Sequence, residues 1–402
     1  MPRSPGRMVV RKIALLLSTM LALLVVAAAC GSDPTATPVP PTATPTPEAM
    51  MEDPTPTAMM EEQPTPTAMM EEKSLEEKLY EEALATNDGK ISWVFPTRAS
   101  QGDPIMEAFE TEYPGLDVEL TTKSTSEVTE GLLLEHQLGR VAADVSDPGR
   151  DSRLLDRGIF GDSSDIFADV GIAEEAIYAD GLATLYVPLA HGVMYNTDIV
   201  TGDDIPQTYE DLLDPKWKGQ MVLEDRLKGF IYLTDLPEYN GRYENLWPEE
   251  QILDYLTKLA EQDVLIQHGN TTVSNTVASG ERPISPDVNV ASIGNAIVQD
   301  HPVDLAPVTP NAIEQWLIGA VADGPNPAGG RLFLRWLLNL DQGIPVRVSV
   351  QPGTTLDPNS GDIIGERAAR LGLKIGYTGI EMADNFSRLQ MTYREAMGIP
   401  TS

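Results

Sequence analysis

Residues 185–200, with the sequence LYVPLAHGVMYNTDIV, constrain the fold more than any other stretch of the chain. The apolar run at 185–189 is typical of a strand that is buried on both faces. A segment of mostly small residues at 190–193 and the polar group 195–197 follow it directly. We interpret this stretch as the crossing from one lobe of a two-lobed protein to the other.

The segments on both sides of this stretch alternate between strand and helix patterns. Apolar residues fill 91–95, a polar loop covers 96–100, and Pro104 opens a helix pattern. Alternation at this spacing predicts a parallel or mixed α/β sheet. The other predicted strands are 116–120, 142–146, 220–223, 264–267 and 303–308, and the other predicted helices are one capped by Ser74 and those at 124–139, 248–262, 271–279 and 327–340.

The first 29 residues have the composition of a secretory signal peptide. Four basic residues precede an apolar run at 13–29 that ends in alanines. A transmembrane anchor is the alternative, although the run is short of the roughly 20 residues that a span needs. The only cysteine, Cys30, follows directly, and with Gly31 and Ser32 it looks like a bacterial lipobox. We therefore expect Cys30 to be lipidated and to hold an extracytoplasmic protein on the cell membrane; cleavage beside a free thiol is the alternative.

Residues 30–73 are rich in proline and threonine and predict a disordered linker. The unit Ala-Met-Met-Glu occurs three times, with Pro-Thr repeats between the copies. Proline at this density disfavours helix and gives an extended, solvated chain. The methionine pairs alone do not indicate a metal site, and no cofactor is predicted.

Charge and motif content limit the classes of function. The net charge of −33 repels nucleic acid and anionic lipid headgroups, so a nucleic-acid partner is not expected. Because the single cysteine lies at the expected anchor, the folded part lacks a thiol nucleophile. The sequence also contains no Gly-x-Ser-x-Gly, His-Glu-x-x-His or phosphate-loop motif. We predict that the chain is not an enzyme; the alternative is a carboxylate pair that sequence cannot reveal.

Five motifs, in this order along the chain, resemble the solute-binding lipoproteins of bacterial ABC importers. They are similar to the ferric-iron-like branch of the type II periplasmic binding protein fold. The resemblance implies two α/β lobes with hinge-linked mixed sheets, which close on a small ligand and deliver it to permease and ATPase subunits. It also implies a monomer. The motifs are 79–83 before Gly89, Phe109 with 113–118, 195–198 with 209–219, 277–281, and 326–338.

The resemblance also suggests boundaries within the chain. The signal peptide is 1–29 and the linker is 30–73. Lobe 1 is expected to comprise 74–187 and 302–340, and lobe 2 to comprise 188–301 and 341–402.

Ligand contacts are expected where loops and helix starts meet the cleft between the lobes. Thr97, Arg98 and Ser100 follow the first predicted strand, and Arg98 can donate a forked pair of bonds to a carboxylate or phosphate. The alternative is a solvated loop. The other candidates are Asp147 and Arg150 after the strand at 142–146, Tyr195 and Asn196 after the crossing strand, and Asp287 and Asn289 after Gly280.

These candidates have structural alternatives as well. Asp147 and Arg150 fit a simple turn, and Asn196 could brace the backbone of the hinge. We expect His191 to be a satisfied structural histidine. Trp316 and Tyr195 could stack on an organic ligand, although a core role fits Trp316 equally well.

The sequence departs from the ferric branch at 284–290. Members of that branch have adjacent tyrosines there, whereas this chain has Ser285, Asp287 and Asn289. We therefore predict an organic or oxyanion solute and a function in import. The alternatives are a ferric-iron-binding protein of the same fold and a sensor lipoprotein that presents its ligand to a receptor.

Overall fold

A computed structural model describes residues 73–147 and 152–400. The predicted signal peptide, nearly all of the predicted linker with Cys30, and Arg150 lie outside the described residues. In the part that is described, no helix combines the length and apolar character needed to cross a membrane.

The chain alternates between helices and strands throughout this part. The helices are α1 (Leu75–Leu84), α2 (Ala99–Glu112), α3 (Thr125–Gln137), α4 (Ser152–Asp156), α5 (Ser164–Asp169), α6 (Lys228–Tyr232), α7 (Glu249–Ala260), α8 (Asn270–Ala278), α9 (Val290–Val298), α10 (Pro327–Leu338), α11 (Gly343–Val350), α12 (Ile363–Leu371) and α13 (Met382–Ala396). The strands are β1 (Lys90–Phe95), β2 (Asp117–Thr122), β3 (Val145–Ser146), β4 (Ile177–Tyr178), β5 (Ala183–Asn196), β6 (Val222–Glu224), β7 (Thr234–Asp235), β8 (Trp247–Pro248), β9 (Leu265–Gln267), β10 (Ile284–Asn289), β11 (Val303–Leu305), β12 (Asn311–Ala320) and β13 (Ile375–Gly376).

The long strand β5 links the two halves of the main sheet, whose order is β10-β5-β12-β3-β1-β2. Its first half pairs antiparallel with β12, from Thr184 opposite Ile318 to Ala190 opposite Ile313. Its second half pairs antiparallel with β10 and β11. Strands β1, β2 and β3 are parallel to one another, so the sheet is mixed. All residues of β5 except Pro188 are buried, which explains the apolar run at 185–189.

Two clusters of buried side chains form the core. The first is built around rings of β1, α2 and α10, where Phe109 lies 4.9 Å from Phe333 and Trp93 lies 5.2 Å from Phe333. The second contains Tyr209, Phe230 and other residues of α6, α7 and α13. Helix α11 packs against α2 and α10. The lobe boundaries suggested above stay a prediction.

Helix α2 begins earlier than the sequence pattern predicts. Its first residue is Ala99, and Pro104 lies inside the helix rather than at its start. The carbonyl oxygen of Arg98 accepts hydrogen bonds from the N–H groups of Gln101 and Gly102. Gly102 also lets this turn approach β2, because a Cβ there would lie 2.3 Å from Cδ2 of Leu120. Tertiary packing therefore extends the helix into the predicted loop.

Candidate ligand-binding site

A cavity of about 290 Å³ lies beside the first half of β5. Tyr186, Val187 and Leu189 of that strand form one wall. The other walls come from the loop after β1, from the first turns of α2, α8 and α9, and from α11 with the residues that follow it. The polar lining residues are Thr97, Arg98, Gln101, Thr271, Asn289, Ser292, Asn295, Arg347, Gln351 and Thr354.

Three helices begin at this cavity. Asn289 caps α9 because its Oδ1 accepts the N–H of Ser292 at 2.8 Å. Its own N–H donates to Oδ1 of Asn270 at 3.0 Å, which ties the start of α9 to the start of α8. Arg98 occupies the N-cap position of α2. The positive ends of three helix dipoles therefore lie around the cavity, and this arrangement favours a negatively charged ligand.

The lining is positively charged although the protein is strongly acidic. Arg98 and Arg347 both line the cavity, and none of its described lining residues is a carboxylate. Arg98 is exposed and can move toward a ligand, whereas Arg347 is 3% exposed. The local field thus opposes the net charge of −33.

Arg347 is held by backbone carbonyl groups. It donates from Nη1 to the carbonyl oxygen of Leu337 at 2.8 Å and from Nη2 to that of Tyr186. Its guanidinium also lies 4.0 Å from the centre of the Tyr186 ring. Burial lowers the pKa of Arg347, although an arginine stays protonated in proteins. Its Nε has no hydrogen-bond partner among the described residues.

Aromatic rings and amides complete the walls. Phe95 and Tyr186 meet edge to face at 4.9 Å, and Trp316 lies half-buried opposite Val187 in the β5–β12 register. The side chain of Gln101 donates to that of Gln351, which joins α2 to the end of α11. The cavity thus offers cations, neutral donors and flat apolar surfaces together.

Residues 97–344 match the family model described as bacterial extracellular solute-binding protein. The chain belongs to this family. Solute-binding proteins of this kind serve ABC importers, as the order of sequence motifs predicted, and their family is one of binding rather than catalysis. No curated protein sequence matches the chain.

Solved structures share the two-lobed fold of this solute-binding protein. One is IdiA (FutA) from Trichodesmium in complex with iron and citrate, which is 18% identical and covers 78% of this chain and 100% of its own at a TM-score of 0.59. Another is the substrate-binding protein of the ABC transporter from Agrobacterium tumefaciens, with 15% identity, 77% and 95% coverage and a TM-score of 0.55. A third is AfuA from Actinobacillus pleuropneumoniae with fructose-6-phosphate bound, with 16% identity, 78% and 100% coverage and a TM-score of 0.51. The predicted type II periplasmic binding protein fold is confirmed.

The fold of this solute-binding protein brings three of the predicted contact residues to the cavity. Thr97, Arg98 and Asn289 all line it. Ser100 lies exposed in the first turn of α2, and Asp147 lies buried just after β3. A ligand contact for each of these residues stays a prediction, as it does for Arg150 outside the described residues.

The other predicted contact residues lie elsewhere in the fold. Asn196 donates from Nδ2 to the carbonyl oxygens of Val277 at 3.0 Å and Ala278 at 3.1 Å, which matches the bracing alternative. Tyr195 is buried at the far end of β5, opposite Ile284 in the β5–β10 register. Asp287 is buried against His191 and accepts the N–H of Gly229 at 3.0 Å. Their roles as ligand contacts also stay predictions.

Several cavity residues carry no clear signal in the sequence. Gln101 lies in the first turns of α2, between the predicted loop at 96–100 and the helix that the pattern begins at Pro104. Arg347, Gln351 and Thr354 lie more than 150 residues beyond the crossing strand that they face. The single weak signal is the apolar neighbourhood of Arg347, which stands between Val346 and Val348 and is unusual for an exposed arginine.

A separate group could hold a cation in principle. Glu224, Asp225 and His268 have ligand atoms within 4.8 Å of one another at the ends of β6 and β9. However, Glu224 already pairs with Arg226, and Asp225 lies 3.5 Å from Nη1 of Arg394. Because guanidinium groups already neutralise both carboxylates, this group is best described as an ion-pair cluster.

Proposed function

We propose that this solute-binding protein captures a small organic anion in the cavity beside β5 and delivers it to an ABC importer. The observation that carries the proposal is the charge of the cavity. Two arginines and three helix N-termini surround it, without a carboxylate among its described lining residues, in a chain of net charge −33. A positively charged cavity in a negatively charged protein favours a negatively charged ligand.

The rest of the lining supports an organic rather than an inorganic anion. Trp316 and Phe95 offer flat surfaces for a carbon skeleton. Asn289, Asn295 and Gln101 offer amides for hydroxyl or carbonyl groups. The citrate and the fructose-6-phosphate named for two proteins of similar fold belong to the same chemical class. We assign Thr97, Arg98 and Asn289 to this ligand, together with Gln101 and Arg347.

Ferric iron is the second candidate, because a protein of similar fold is described with iron. A hard Fe³⁺ ion requires several anionic oxygens, and the described lining offers a single tyrosine, Tyr186, and no carboxylate. Burial raises the pKa of Tyr186, against the opposing effect of Arg347, so a tyrosinate is disfavoured. The organic anion therefore fits the cavity better.

The N-terminus completes the proposal. Lipidated Cys30 would anchor the protein to the outer face of the cell membrane. The proline-rich linker would let the folded part, which would be a monomer, reach the permease. The protein would bind its solute without transforming it. In cells, Cys30→Ser should abolish the incorporation of a labelled fatty acid into the protein. A receptor kinase, in place of a permease, that binds the liganded form would support sensing instead of import.

A thermal-shift screen of the purified full chain tests the ligand class. Carboxylates and sugar phosphates should raise the melting temperature, whereas matched neutral sugars and polyamines should not. At a concentration 100 times the Kd, binding should add about 2.7 kcal/mol to the free energy of unfolding.

Variants of the cavity residues then locate the site. Arg98→Gln and Trp316→Ala should each weaken, at least tenfold in isothermal titration, the binding of the anion that stabilises the protein most in the screen. Arg140→Gln, an exposed position beyond α3, is the matched control and should leave the affinity unchanged. Stabilisation by polyamines alone, or a visible charge-transfer band with ferric citrate, would contradict the proposal.

A further inference from the structure

A second cavity, of about 340 Å³, shares part of its wall with the first. Tyr186, Arg347 and Thr354 line both cavities. The rest of the second cavity is mostly apolar and includes Ile172, Leu338 and Ile344. Its walls therefore come from a different part of the fold than the helix starts around the first cavity.

Two buried donors on the shared wall have no hydrogen-bond partner among the described residues. They are Nε of Arg347 and Oγ1 of Thr354. Both residues are less than 5% exposed. The rest of the Arg347 guanidinium donates to backbone carbonyl oxygens, of Leu337, Tyr186 and, at 3.5 Å, Thr354 itself. Leaving a buried donor unpaired is costly, so these two donors favour an acceptor placed beside them.

The carboxylates near this wall are occupied by other groups. Asp362 accepts the N–H groups of Gly353 at 3.0 Å and Thr354 at 2.9 Å. Asp357, which lines the second cavity, accepts at Oδ1 the N–H of Asn359 at 2.7 Å. The charge of Asp362 acts on Arg347 from a distance, but no described carboxylate oxygen forms an ion pair with this guanidinium. A buried cation without a direct partner favours an added anion.

We propose that the second cavity is a separate binding site for an amphipathic organic monoanion, such as a carboxylate on an aliphatic chain. The carboxylate accepts hydrogen bonds from Nε of Arg347 and Oγ1 of Thr354, and the chain packs against Ile172, Leu338 and Ile344. This site does not depend on the ligand proposed for the first cavity. Because Arg347 belongs to both walls, an anion in one cavity weakens the binding of an anion in the other.

Octanoate is the probe that tests this proposal, with octanol and octylammonium as matched neutral and cationic controls. Octanoate should raise the melting temperature of the full chain, and the two controls should not. Labelled isoleucine δ1 methyl groups then report the position in an NMR titration. The signals of Ile172 and Ile344 should shift, whereas that of Ile105, which lines only the first cavity, should stay in place.

Variants separate the two cavities. Two variants should each weaken the binding of octanoate at least tenfold. Ile344→Phe fills the second cavity, and Thr354→Val removes one donor. Trp316→Ala, in the first cavity, should leave octanoate binding unchanged. Equal stabilisation by octanol, a shift confined to Ile105, or loss of octanoate binding in Trp316→Ala would each overturn the proposal. If Ile344→Phe does not fold, Thr354→Val and the wild-type titration decide the outcome.

Discussion

Nδ1 of His191 lies 2.5 Å from Oδ1 of Asp287, which joins the crossing strand β5 to its antiparallel neighbour β10 through a buried pair. On its other side, Nε2 of His191 lies 3.5 Å from Oε2 of Glu314 on β12. Glu314 in turn pairs with Lys228 at the start of α6. Two bases and two acids thus balance in charge where three strands meet. The sequence predicted a structural histidine at 191, and this geometry agrees with that role.

The stability of the protein should decrease as the pH rises above neutrality. Burial alone would lower the pKa of His191, but Asp287 and then Glu314 outweigh it and raise the pKa to about 9. Since the unfolded value is about 6.5, the contribution of protonated His191 is complete below that pH and is lost as the pH rises through 9. Urea unfolding between pH 6 and 10 should show a loss of roughly 3 kcal/mol from this group.

The variant His191→Gln isolates this effect. Glutamine keeps a donor but has no charge that titrates, so the decrease between pH 6.5 and 9 should become much smaller. His268→Gln is the matched control. His268 also pairs with an aspartate, Asp225 at 3.0 Å, but its side chain is 77% exposed. A decrease in His191→Gln equal to that of the wild type would rule out His191 as its source.

Gly229→Ala should break the same network by steric conflict. A Cβ at this position would lie 2.3 Å from Oδ1 of Asp287 and 2.8 Å from Cβ of His191. The N–H of Gly229 also donates to Asp287, so the helix start cannot move away without losing that bond. We expect a loss of more than about 2 kcal/mol in the free energy of unfolding.

Gly131→Ala is the matched control for this substitution. Gly131 lies in α3, and the nearest atom to its added Cβ would be Nζ of Lys123 at 3.8 Å. Since the space is open and alanine favours helix, the free energy of unfolding of the variant should increase by up to about 1 kcal/mol. Equal stability of Gly229→Ala and wild type would contradict the account of the network.

Local patterns allowed much of this fold to be predicted from sequence. The capping box at Ser74 is confirmed, because Oγ of Ser74 accepts the N–H of Glu77 at 3.1 Å and the Glu77 carboxylate accepts the N–H of Ser74 at 2.9 Å. The crossing strand was predictable because burial on both faces leaves a continuous apolar run. These features depend on neighbours in the sequence.

The site was harder to predict because it depends on distant parts of the chain. Thr97 and Arg98 could be proposed because they follow a predicted strand, and Asn289 because it follows Gly280 where the ferric branch has tyrosines. Arg347 could not, because its partner Tyr186 is 161 residues away and only the folded chain places them together. The same holds for the start of α2, which depends on Gly102 packing against Leu120.

Asn196 and Asn295 should respond in opposite ways to substitution by alanine. Asn196 is buried, and its side chain donates to two carbonyl groups and accepts the N–H of Asp198 at 3.0 Å. Its removal should cost about 2 kcal/mol of stability and leave the ligand affinity unchanged. Asn295 is exposed and lines the cavity, so Asn295→Ala should weaken binding without lowering the melting temperature.

Thermal melting and isothermal titration of both variants, with the best anion from the screen, check this pair. Weaker binding by Asn196→Ala at unchanged stability would instead place that residue in the ligand site, as the sequence allowed.

Asn326 should be the most sensitive asparagine of the chain. It is fully buried, and its Nδ2 donates to the carbonyl oxygens of Ala83 at 3.0 Å, Thr86 at 3.1 Å and Lys90 at 3.2 Å. Its Oδ1 caps α10 by accepting the N–H of Gly329 at 2.9 Å. One side chain therefore holds the end of α1, the start of β1 and the start of α10 together.

Two substitutions of Asn326 separate its two functions. Asn326→Asp keeps the acceptor that caps α10 but turns a negative oxygen toward three carbonyl groups, so it should destabilise at least as much as Asn326→Ala, by roughly 3 kcal/mol or more. Asn339→Ala is the matched control, because that side chain accepts a single N–H, from Asp341 at 2.8 Å, at an exposed turn. Urea unfolding of the three variants checks the order. If Asn326→Asp were as stable as wild type, the cap of α10 alone would explain the residue, and the donors to α1 and β1 would contribute little.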